Sequence, residues 1–344
     1  MKYRTYPNSD VTVSEVGFGM WTTSTGWWGE MTDDEAVAMM HEAFDLGVTL
    51  YDAADTYGNG RSEEQLRKAF SDRRDKVVYA TKFGYDIYSN PGERKGQMEL
   101  PQDVSPAYIR KALDESLRRL GTDYVDIYQL HNAKMEHVHD EAMWAALEAL
   151  KKEGKIRMYG VALGPAIGFL YEGVDAVTEH NVASLQIIWS MLEQFPGDEQ
   201  IKAAYDSKAD TGYMIRVPHA SGMLEGHYTE DTVFPKSDHR SHRPRHWLTN
   251  GVKKVEQLRF LELPNRTLGQ AAIQWLLKEP RVMTILPNIY NREQLREFAA
   301  APETPMLTDD EMHKIAELYK NNFGITDEPP MAFKGVMTRD AVNA

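Results

Sequence analysis

The sequence predicts a single (β/α)8 barrel over residues 1–344, in which eight parallel strands alternate with outer helices. Three observations support this prediction. Eight short runs rich in β-branched and aromatic residues recur along the chain, and the segments between them carry helix-capping signals. No linker, low-complexity tract or change of composition divides the chain. A doubly wound sheet is the alternative fold, because its elements alternate in the same way.

The eight predicted strands are short and nearly continuous in apolar character. In chain order they are VSEVGFG, VTLYDA, KVVYATK, YVDIYQLH, IRMYGVAL, VASLQIIW, TGYMIRV and VMTILPN. Runs of this kind are typical of parallel strands that are covered on both faces. Their regular spacing favours the barrel.

Capping signals mark the ends of the predicted helices. Thr32 and Glu35 form a capping box, and the helix that they begin ends at Gly47. Ser105 precedes a proline at the first helical position, and Gly121 ends that second helix. Each helix follows a predicted strand or precedes one, as βα units require.

Two segments depart from this regular alternation. Residues 221–254 are too long for an ordinary connection and are predicted to form a loop that covers a ligand after the seventh strand. The tail after Gly324 has no periodic pattern and is predicted to be irregular. Neither segment is expected to change the barrel.

Composition restricts the class of partner. A formal net charge of −13 argues against nonspecific binding to nucleic acid or to an anionic membrane. The absence of cysteine excludes disulfides, thiolate nucleophiles and cysteine-bound zinc. No stretch of about 18 apolar residues could span a bilayer, and the first residues do not resemble a signal peptide. We therefore expect a soluble, cytoplasmic protein with a small-molecule substrate. Its oligomeric state has no signal in the sequence.

Four ionisable residues stand at or just after the ends of three consecutive strands. Asp52 ends the second strand, Tyr57 lies in the turn after it, and Lys82 and His131 end the third and fourth strands. In a barrel of this type the active site lies at the carboxyl ends of the strands. The residues two and four positions before each strand end are mostly small and apolar, as an inward face requires. The four side chains are therefore expected to meet.

These residue types form a coherent proton donor. Tyrosine has a pKa near 10, and a buried ammonium beside it stabilises the phenolate. Lys82 would supply this charge, Asp52 would hold Lys82 protonated, and His131 would bind the substrate oxygen or help deliver the proton. Each residue alone has a structural explanation, as an ion pair, a core tyrosine or a satisfied histidine. Four together favour catalysis, because buried ionisable groups are costly.

Several segments resemble the aldo-keto reductases. They are YDAADTYGNGRSEEQLRKAF, YATKFG, LRRLGTDYVDIYQLHN and LKKEGKIRMYGV, and the similarity runs from about Val13 to Ala299. The resemblance implies a barrel that reduces an aldehyde, ketone or sugar with NADPH and has no Rossmann domain. It implies Tyr57 as the general acid, tuned by Asp52, Lys82 and His131. The family includes the potassium-channel β-subunits, and we expect this chain to be similar to that branch.

The resemblance also implies cofactor contacts. Met20 and Trp21 would lie beside nicotinamide and substrate, Gln186 would hold the carboxamide, and Trp189 would stack under the ring. Gln294 and Glu297 match positions on the adenosine side. The full set of expected NADPH contacts is Met20, Trp21, Gln186, Trp189, Arg216, Pro218, Asn288, Arg292, Gln294 and Glu297.

The cofactor site departs from the family pattern at several points. Ala162 and Leu163 replace a Ser-Asn pair that binds the carboxamide, so a contact of about 1 kcal/mol is missing. Arg216-Val217-Pro218-His219 replaces an aromatic-Ser-Pro-Leu run and keeps only the proline. After the last strand, Asn288 stands where the family has glycine.

Two accounts fit these departures. In the favoured account the protein remains a reductase, with residues 221–254 as a clamp and Arg216 on the diphosphate. The alternative position for Arg216 in this account is on a substrate carboxylate. Arg292 and Arg296 would then face a 2′-phosphate or remain solvated. In the other account the four catalytic residues perform redox-neutral chemistry, as in a dehydratase, lyase or epimerase. A binding protein on a reductase scaffold is a third possibility.

One histidine pair has the form of a metal site. His137 and His139 have the HxH form of barrel metallohydrolases, but those pairs belong after the first strand. No third and fourth ligand is evident, so we expect no metal.

Overall fold

The computed structural model describes residues 1–89, 99–236 and 238–342. Eight parallel strands form a nearly closed barrel in which every strand pairs with its neighbour in the chain. A short antiparallel hairpin precedes them. The hairpin strands are β1 (Tyr3–Thr5) and β2 (Thr12–Ser14), and the barrel strands are β3 (Phe18–Gly19), β4 (Leu50–Asp52), β5 (Val78–Phe83), β6 (Val125–His131), β7 (Ile156–Ala162), β8 (Ser184–Ile188), β9 (Gly212–Arg216) and β10 (Val282–Leu286). The barrel prediction is confirmed.

Helices follow the barrel strands and cover the outside of the barrel. In chain order they are α1 (Trp21–Ser24), α2 (Asp33–Asp45), α3 (Arg61–Phe70), α4 (Pro106–Leu120), α5 (Met135–Val138), α6 (Glu141–Lys152), α7 (Leu170–Thr178), α8 (Gly197–Ser207), α9 (Arg245–Glu256), α10 (Leu268–Leu277), α11 (Arg292–Ala300), α12 (Asp309–Lys320) and α13 (Arg339–Val342). Both predicted caps form. Thr32 and Glu35 make the capping box of α2, and the side chain of Ser105 accepts a hydrogen bond from the backbone at the start of α4.

Closure of the barrel joins β10 to the residues just before β3. The backbone N–H of Gly17 donates to the carbonyl of Ile285 at 2.8 Å, and Ile285 donates to the carbonyl of Glu15 at 2.9 Å. Parallel pairing throughout brings the carboxyl ends of all eight strands to one rim. This rim carries the site described below.

The barrel interior is filled by the inward residues of the strands. Leu50, Val78, Ala80 and Ile127 pack in one buried cluster with methionines of later strands, as the period-two count predicts. Tyr6, Val11 and Val13 join this cluster from the β1–β2 hairpin and its turn. The hairpin was not predicted, because strands of three residues are too short to show a periodic pattern.

The segment after β9 is more ordered than a simple loop. Residues 221–254 contain 3-10 turns at Met223–Glu225 and His239–His242, and their last ten residues belong to α9. Pro244 immediately precedes that helix, where its missing N–H costs nothing. The prediction of one continuous loop is therefore corrected at its carboxyl end.

The tail after Gly324 is largely irregular, as predicted, but it is attached to the barrel. Lys334 forms a parallel bridge with Gly168 just before α7, and the N–H of Val336 donates to the carboxylate of Glu172 at 2.9 Å. Within the described ranges, every helix is too short or too polar to cross a lipid bilayer.

Candidate active site

The four predicted catalytic side chains meet at the carboxyl rim of β4, β5 and β6. The Nζ atom of Lys82 lies 2.7 Å from Oδ2 of Asp52 and donates to the carbonyl of Ala53 at 2.8 Å. The same Nζ atom is 4.9 Å from the ring centroid of Tyr57. The ring of His131 packs edge-on against Tyr57 with centroids 5.8 Å apart. The structure thus brings together an acid, an ammonium, a phenol and an imidazole.

The turn between β4 and α3 fixes the position of Tyr57. Its backbone N–H donates to the carbonyl of Ala54 at 3.1 Å, and the Ser62 hydroxyl donates to the same carbonyl at 2.9 Å. Gly58 has φ of 62°, and a Cβ there would lie 2.7 Å from the carbonyl oxygen of Ser24. Gly60, with φ of 92°, is the N-cap of α3. The two glycines therefore allow a turn that a larger residue would distort.

Asp52 uses both carboxylate oxygens. While Oδ2 accepts from Lys82, Oδ1 accepts from the side-chain amides of Gln129 and Gln186, each at 3.2 Å. Gln129 was missed as a site residue, although its position two residues before His131 placed it on the same inward face. The Nε2 atom of Gln186, the residue expected to hold a nicotinamide carboxamide, donates to Asp52 in this structure. The carboxylate is thereby fixed in one orientation.

Burial dominates the electrostatics of the phenol and the ammonium. Burial raises the pKa of Tyr57 above its ordinary value, while the nearby charges of Lys82 and Arg216 act in the opposite direction. Burial acts to lower the pKa of Lys82, but Asp52 and Tyr57 raise it, and the net direction is upward. Lys82 therefore stays an ammonium at neutral pH, and Tyr57 keeps its proton until a base or substrate takes it.

His131 is held by residues that sequence reasoning missed. Its Nδ1 atom lies 3.4 Å from the hydroxyl of Thr56, and its ring packs edge-on against Tyr85 at 5.3 Å. The amide of Gln102 donates to its carbonyl at 2.9 Å. Thr56 adjoins Tyr57 in the sequence, which is the one signal that could have identified it.

Arg216 ends β9 on the inward face. Its Nη2 atom donates to the carbonyl of Leu163 at 2.9 Å and to the carbonyl of Gly164. These carbonyls follow β7, where the expected Ser-Asn pair is absent. Burial lowers the pKa of Arg216, and Tyr57 and Asp52 oppose this shift. The guanidinium therefore lies within electrostatic reach of the catalytic group.

An aromatic wall forms beside the same rim. The N–H of Met20 donates to the carbonyl of Asp52 at 2.9 Å, and Trp21 follows it at the start of α1. The ring of Trp21 lies 5.9 Å from Trp27, 6.0 Å from Trp28 and 5.4 Å from His239. The wall thus connects the residues after β3 with the long segment after β9.

Trp189 is not part of this group. Its ring packs against Trp275 of α10 with centroids 4.5 Å apart, and its Nε1 atom donates to Asp198 of α8 at 2.8 Å. Strand alternation explains this placement, since Gln186 points inward and Trp189 lies three residues later. Pro218 is buried in the turn after β9.

The expected adenosine-side residues surround the start of α11. The amide of Gln294 donates to Oε2 of Glu225 at 2.9 Å, and Glu297 accepts from the hydroxyl of Thr267. Burial raises the pKa of Glu225 to about 7. Asn288 is partly exposed after β10.

Arg292 and Arg296 are already paired. Both guanidinium groups contact the carboxylate of Glu42 on α2, Arg296 through Nε at 2.6 Å. Both arginine side chains remain more than half exposed. Any anion near the start of α11 would therefore compete with Glu42 for them.

The HxH pair does not join the catalytic group. His139 lies 3.2 Å from the carboxylate of Asp175 and 3.8 Å from that of Glu179, and these three could together hold a cation. Arg339 already neutralises Asp175 from the other side. Burial lowers the pKa of His137.

Comparison with known proteins identifies the family. The profile of the Aldo/keto reductase family matches residues 15–320. The oxidoreductase YqkF of Bacillus subtilis (strain 168), named as uncharacterized, is 31% identical over 327 residues, which are 93% of this chain and 99% of the relative. The NADH-specific methylglyoxal reductase of Escherichia coli (strain K12) is 30% identical over 311 residues, 85% of this chain and 91% of the relative.

Solved structures agree with the fold. The glycerol dehydrogenase AKR11B4 from Gluconobacter oxydans superposes with a TM-score of 0.80 at 27% identity, covering 96% of this chain and 98% of that one. The holo form of aldo-keto reductase AKR11C1 from Bacillus halodurans gives a TM-score of 0.74 at 28% identity, covering 92% and 96%. The chain belongs to the aldo-keto reductase family, whose members similar to it are oxidoreductases.

Proposed function

We propose that this protein reduces the carbonyl group of a small aldehyde, ketone or sugar with NADPH, and that Tyr57 is the general acid. The observation that carries the proposal is the buried ion pair of Lys82 and Asp52 placed against the Tyr57 ring. A phenol serves as an acid at neutral pH only if its phenolate is stabilised as it forms. The ammonium of Lys82 is placed to do so.

The proposed roles follow from these positions. Reduced nicotinamide, when bound, would supply a hydride to the carbonyl carbon. The Tyr57 hydroxyl donates its proton to the carbonyl oxygen, so the product is an alcohol and Tyr57 becomes a phenolate next to Lys82. His131 donates a hydrogen bond to the same oxygen and orients it. Asp52 keeps Lys82 charged and in place.

The residues near the rim suit a dinucleotide. The partly exposed ring of Trp21, which follows the buried Met20, offers an apolar surface for a planar ring. Loops after the last two strands of such barrels often bind phosphate. Gln294 and Glu297 of α11 would hold the adenosine side, and Asn288 and Pro218 would contribute further contacts to the nucleotide. Arg292 would face a 2′-phosphate once released from Glu42. Trp189 is omitted from the proposed contacts because it packs between helices.

The test is steady-state oxidation of NADPH and, separately, of NADH with a panel of aldehydes, ketones and sugars. We expect saturable turnover with at least one carbonyl compound, and little without a carbonyl. NADPH should be preferred. A preference for NADH would retain the reductase and reject the NADPH assignment, while failure of both nucleotides to bind would reject the redox role.

One observation favours redox-neutral chemistry as a second candidate. Ala162 and Leu163 offer no side-chain hydrogen bond, and the amide of Gln186 is occupied by Asp52. A nicotinamide carboxamide would therefore find few partners. Conversion of a hydroxy-carbonyl substrate without added nucleotide, abolished in Tyr57→Phe, would support a dehydratase, lyase or epimerase. Nucleotide binding without turnover across the panel would support a binding module of the channel β-subunit kind.

A further inference from the structure

We propose that Arg216 binds an anionic group of the substrate, so that the preferred substrates are carbonyl compounds with a carboxylate or phosphate close to the carbonyl. This inference rests on the proposed reductase function and specifies its substrate class. For Arg216 it chooses the substrate over the cofactor diphosphate, the role that the sequence favours.

Arg216 lies on the same rim as the catalytic group. It pairs in register with Ile188 of β8 and Leu286 of β10, at the inward end of β9. Its charge interacts with Tyr57, which donates to the reacting carbonyl oxygen in the proposed mechanism, and with Asp52, which holds Lys82 in place. A group bound by Arg216 would therefore lie near the reacting carbon and not at the far end of a dinucleotide.

The guanidinium of Arg216 donates to the protein through one nitrogen in the part of the chain that the structure describes. Both carbonyl acceptors, on Leu163 and Gly164, use the Nη2 atom. Across residues 1–89, 99–236 and 238–342, the Nε and Nη1 atoms of Arg216 have no hydrogen-bond acceptor. The Leu163 and Gly164 carbonyls fix the plane of the guanidinium, and the donors left over can bind an anion.

The charge of Arg216 is balanced differently from that of other buried arginines. The buried arginines Arg119, Arg240 and Arg266 each contact a carboxylate, on Glu63, Asp238 and Glu311 respectively. Arg216 has no carboxylate within ion-pair distance in the part of the chain that the structure describes. A partly buried charge without a counter-ion is costly, and a substrate anion would offset that cost.

The position of Arg216 relative to the reacting carbonyl limits the class of substrate. One guanidinium at the carboxyl end of β9, within electrostatic reach of the catalytic tyrosine, suits an anion separated from the carbonyl by few bonds, as in a 2-oxo acid or a short phosphorylated aldehyde. Carboxylate and phosphate share the oxygen geometry that a guanidinium recognises, so both are included.

The experiment compares charged and neutral versions of the same carbonyl compound. One pair is pyruvate and methyl pyruvate, and the other is glyceraldehyde 3-phosphate and glyceraldehyde. The ratio of kcat/KM for charged over neutral substrate is measured in wild type, Arg216→Met and Arg216→Lys. Because Tyr57 donates the proton to both compounds of a pair, a general change in its acidity alters both rates and leaves the ratio unchanged. Thermal melting verifies that each variant is folded, and Arg216→Lys keeps the charge if the methionine variant does not fold.

Arg281 provides a matched control. It is also an arginine whose guanidinium donates to backbone carbonyls, on Ala209 and Thr211, but it lies at the opposite end of the barrel before β10. Arg281→Met should keep the wild-type ratio. Arg216→Met should lower the ratio roughly ten- to a hundredfold for at least one pair, the loss expected for one charged hydrogen bond. The ratio for Arg216→Lys should lie between the ratios for wild type and Arg216→Met.

The outcomes are distinct. A charged-over-neutral preference lost in Arg216→Met supports the proposal, and the pair that shows it identifies carboxylate or phosphate. A wild type that prefers both neutral compounds, or an unchanged ratio in Arg216→Met, overturns it. Calorimetric binding of oxamate, a 2-oxo acid mimic, is the readout independent of turnover. Binding that depends on Arg216 in a protein that reduces no carbonyl would keep the anion site and reject the reductase. If oxamate does not bind and charged substrates are not preferred, while carbonyl compounds are still reduced, the anion site is rejected and the reductase function is kept.

Discussion

The carboxylate of Asp52 lies 2.7 Å from the ammonium of Lys82, and their side chains are only 5% and 1% exposed. The second oxygen of Asp52 accepts from Gln129 and Gln186, so the whole carboxylate is engaged. A buried pair of this kind gives little net stability, but loss of one partner strands the other charge. The pair is therefore a sensitive reporter of the site.

Lys82→Met should destabilise the fold by about 3–5 kcal/mol, because Asp52 would remain buried without its counter-charge. Urea denaturation measures this loss. The double variant Lys82→Met with Asp52→Asn should recover much of it, since no charge remains. As a control, Lys202→Met removes an exposed pair with Asp206 and should cost less than about 1 kcal/mol. Equal losses in the two lysine variants would contradict the buried-pair interpretation.

Tyr57→Phe should lower kcat by about 10²–10⁴-fold while nucleotide affinity stays close to wild type, because it removes the transferable proton and little volume. Initial rates and a fluorescence titration with NADPH measure the two effects. Tyr85→Phe is the matched control, since it also removes one hydroxyl and keeps a ring that packs against His131. Turnover that survives Tyr57→Phe would refute the assignment of the acid.

Glu225 should make stability fall as pH rises. Its pKa is raised from 4.5 to about 7 in the folded protein, with burial as the main cause and Gln294 opposing it. Between these two values the folded state binds more protons than the unfolded state, so the free energy of unfolding decreases with pH. Glu225→Gln lacks this contribution and should gain stability relative to wild type across that window. Parallel denaturation profiles for the two proteins would argue against it.

Glu42→Gln should strengthen NADPH binding relative to NADH by roughly two- to tenfold, because it frees Arg292 and Arg296 for a 2′-phosphate. Dissociation constants at low and high salt test this, since the gain should shrink as salt screens the charges. Glu115→Gln, which disrupts an exposed pair with Arg118, is the control and should change neither constant. An equal gain for NADH would exclude the 2′-phosphate as its cause.

Trp189→Ala should cost stability and leave NADPH affinity largely intact. The ring fills space against Trp275 and donates to Asp198, and removal of a buried aromatic side chain typically costs about 3–5 kcal/mol. Trp21→Ala should weaken NADPH binding and cost little stability, since Trp21 is partly exposed beside the rim. Denaturation curves and NADPH titrations of the two variants distinguish these roles. If Trp189→Ala alone weakens NADPH binding in a stable protein, the nicotinamide does contact Trp189.

Much of the fold could be predicted because its signals are local. The capping box at Thr32 and the proline after Ser105 act within one helical turn, and both form as predicted. The inward positions of Leu50 and Val78 follow from strand alternation. The β1–β2 hairpin escaped prediction because its pairing between Tyr3 and Ser14 leaves no periodic trace in three-residue strands.

The sequence by itself determined the order of the eight strands and which side chains of β4, β5 and β6 share the inward face. Only the tertiary structure decided which distant groups the polar side chains contact. Gln186 donates a hydrogen bond to Asp52, 134 residues away, and Arg296 donates one to Glu42, 254 residues away. Arg216 was fixed by carbonyls after β7. Alternation and capping are set by neighbouring residues, whereas the partner of a polar side chain depends on which distant groups the closed barrel brings within hydrogen-bond distance.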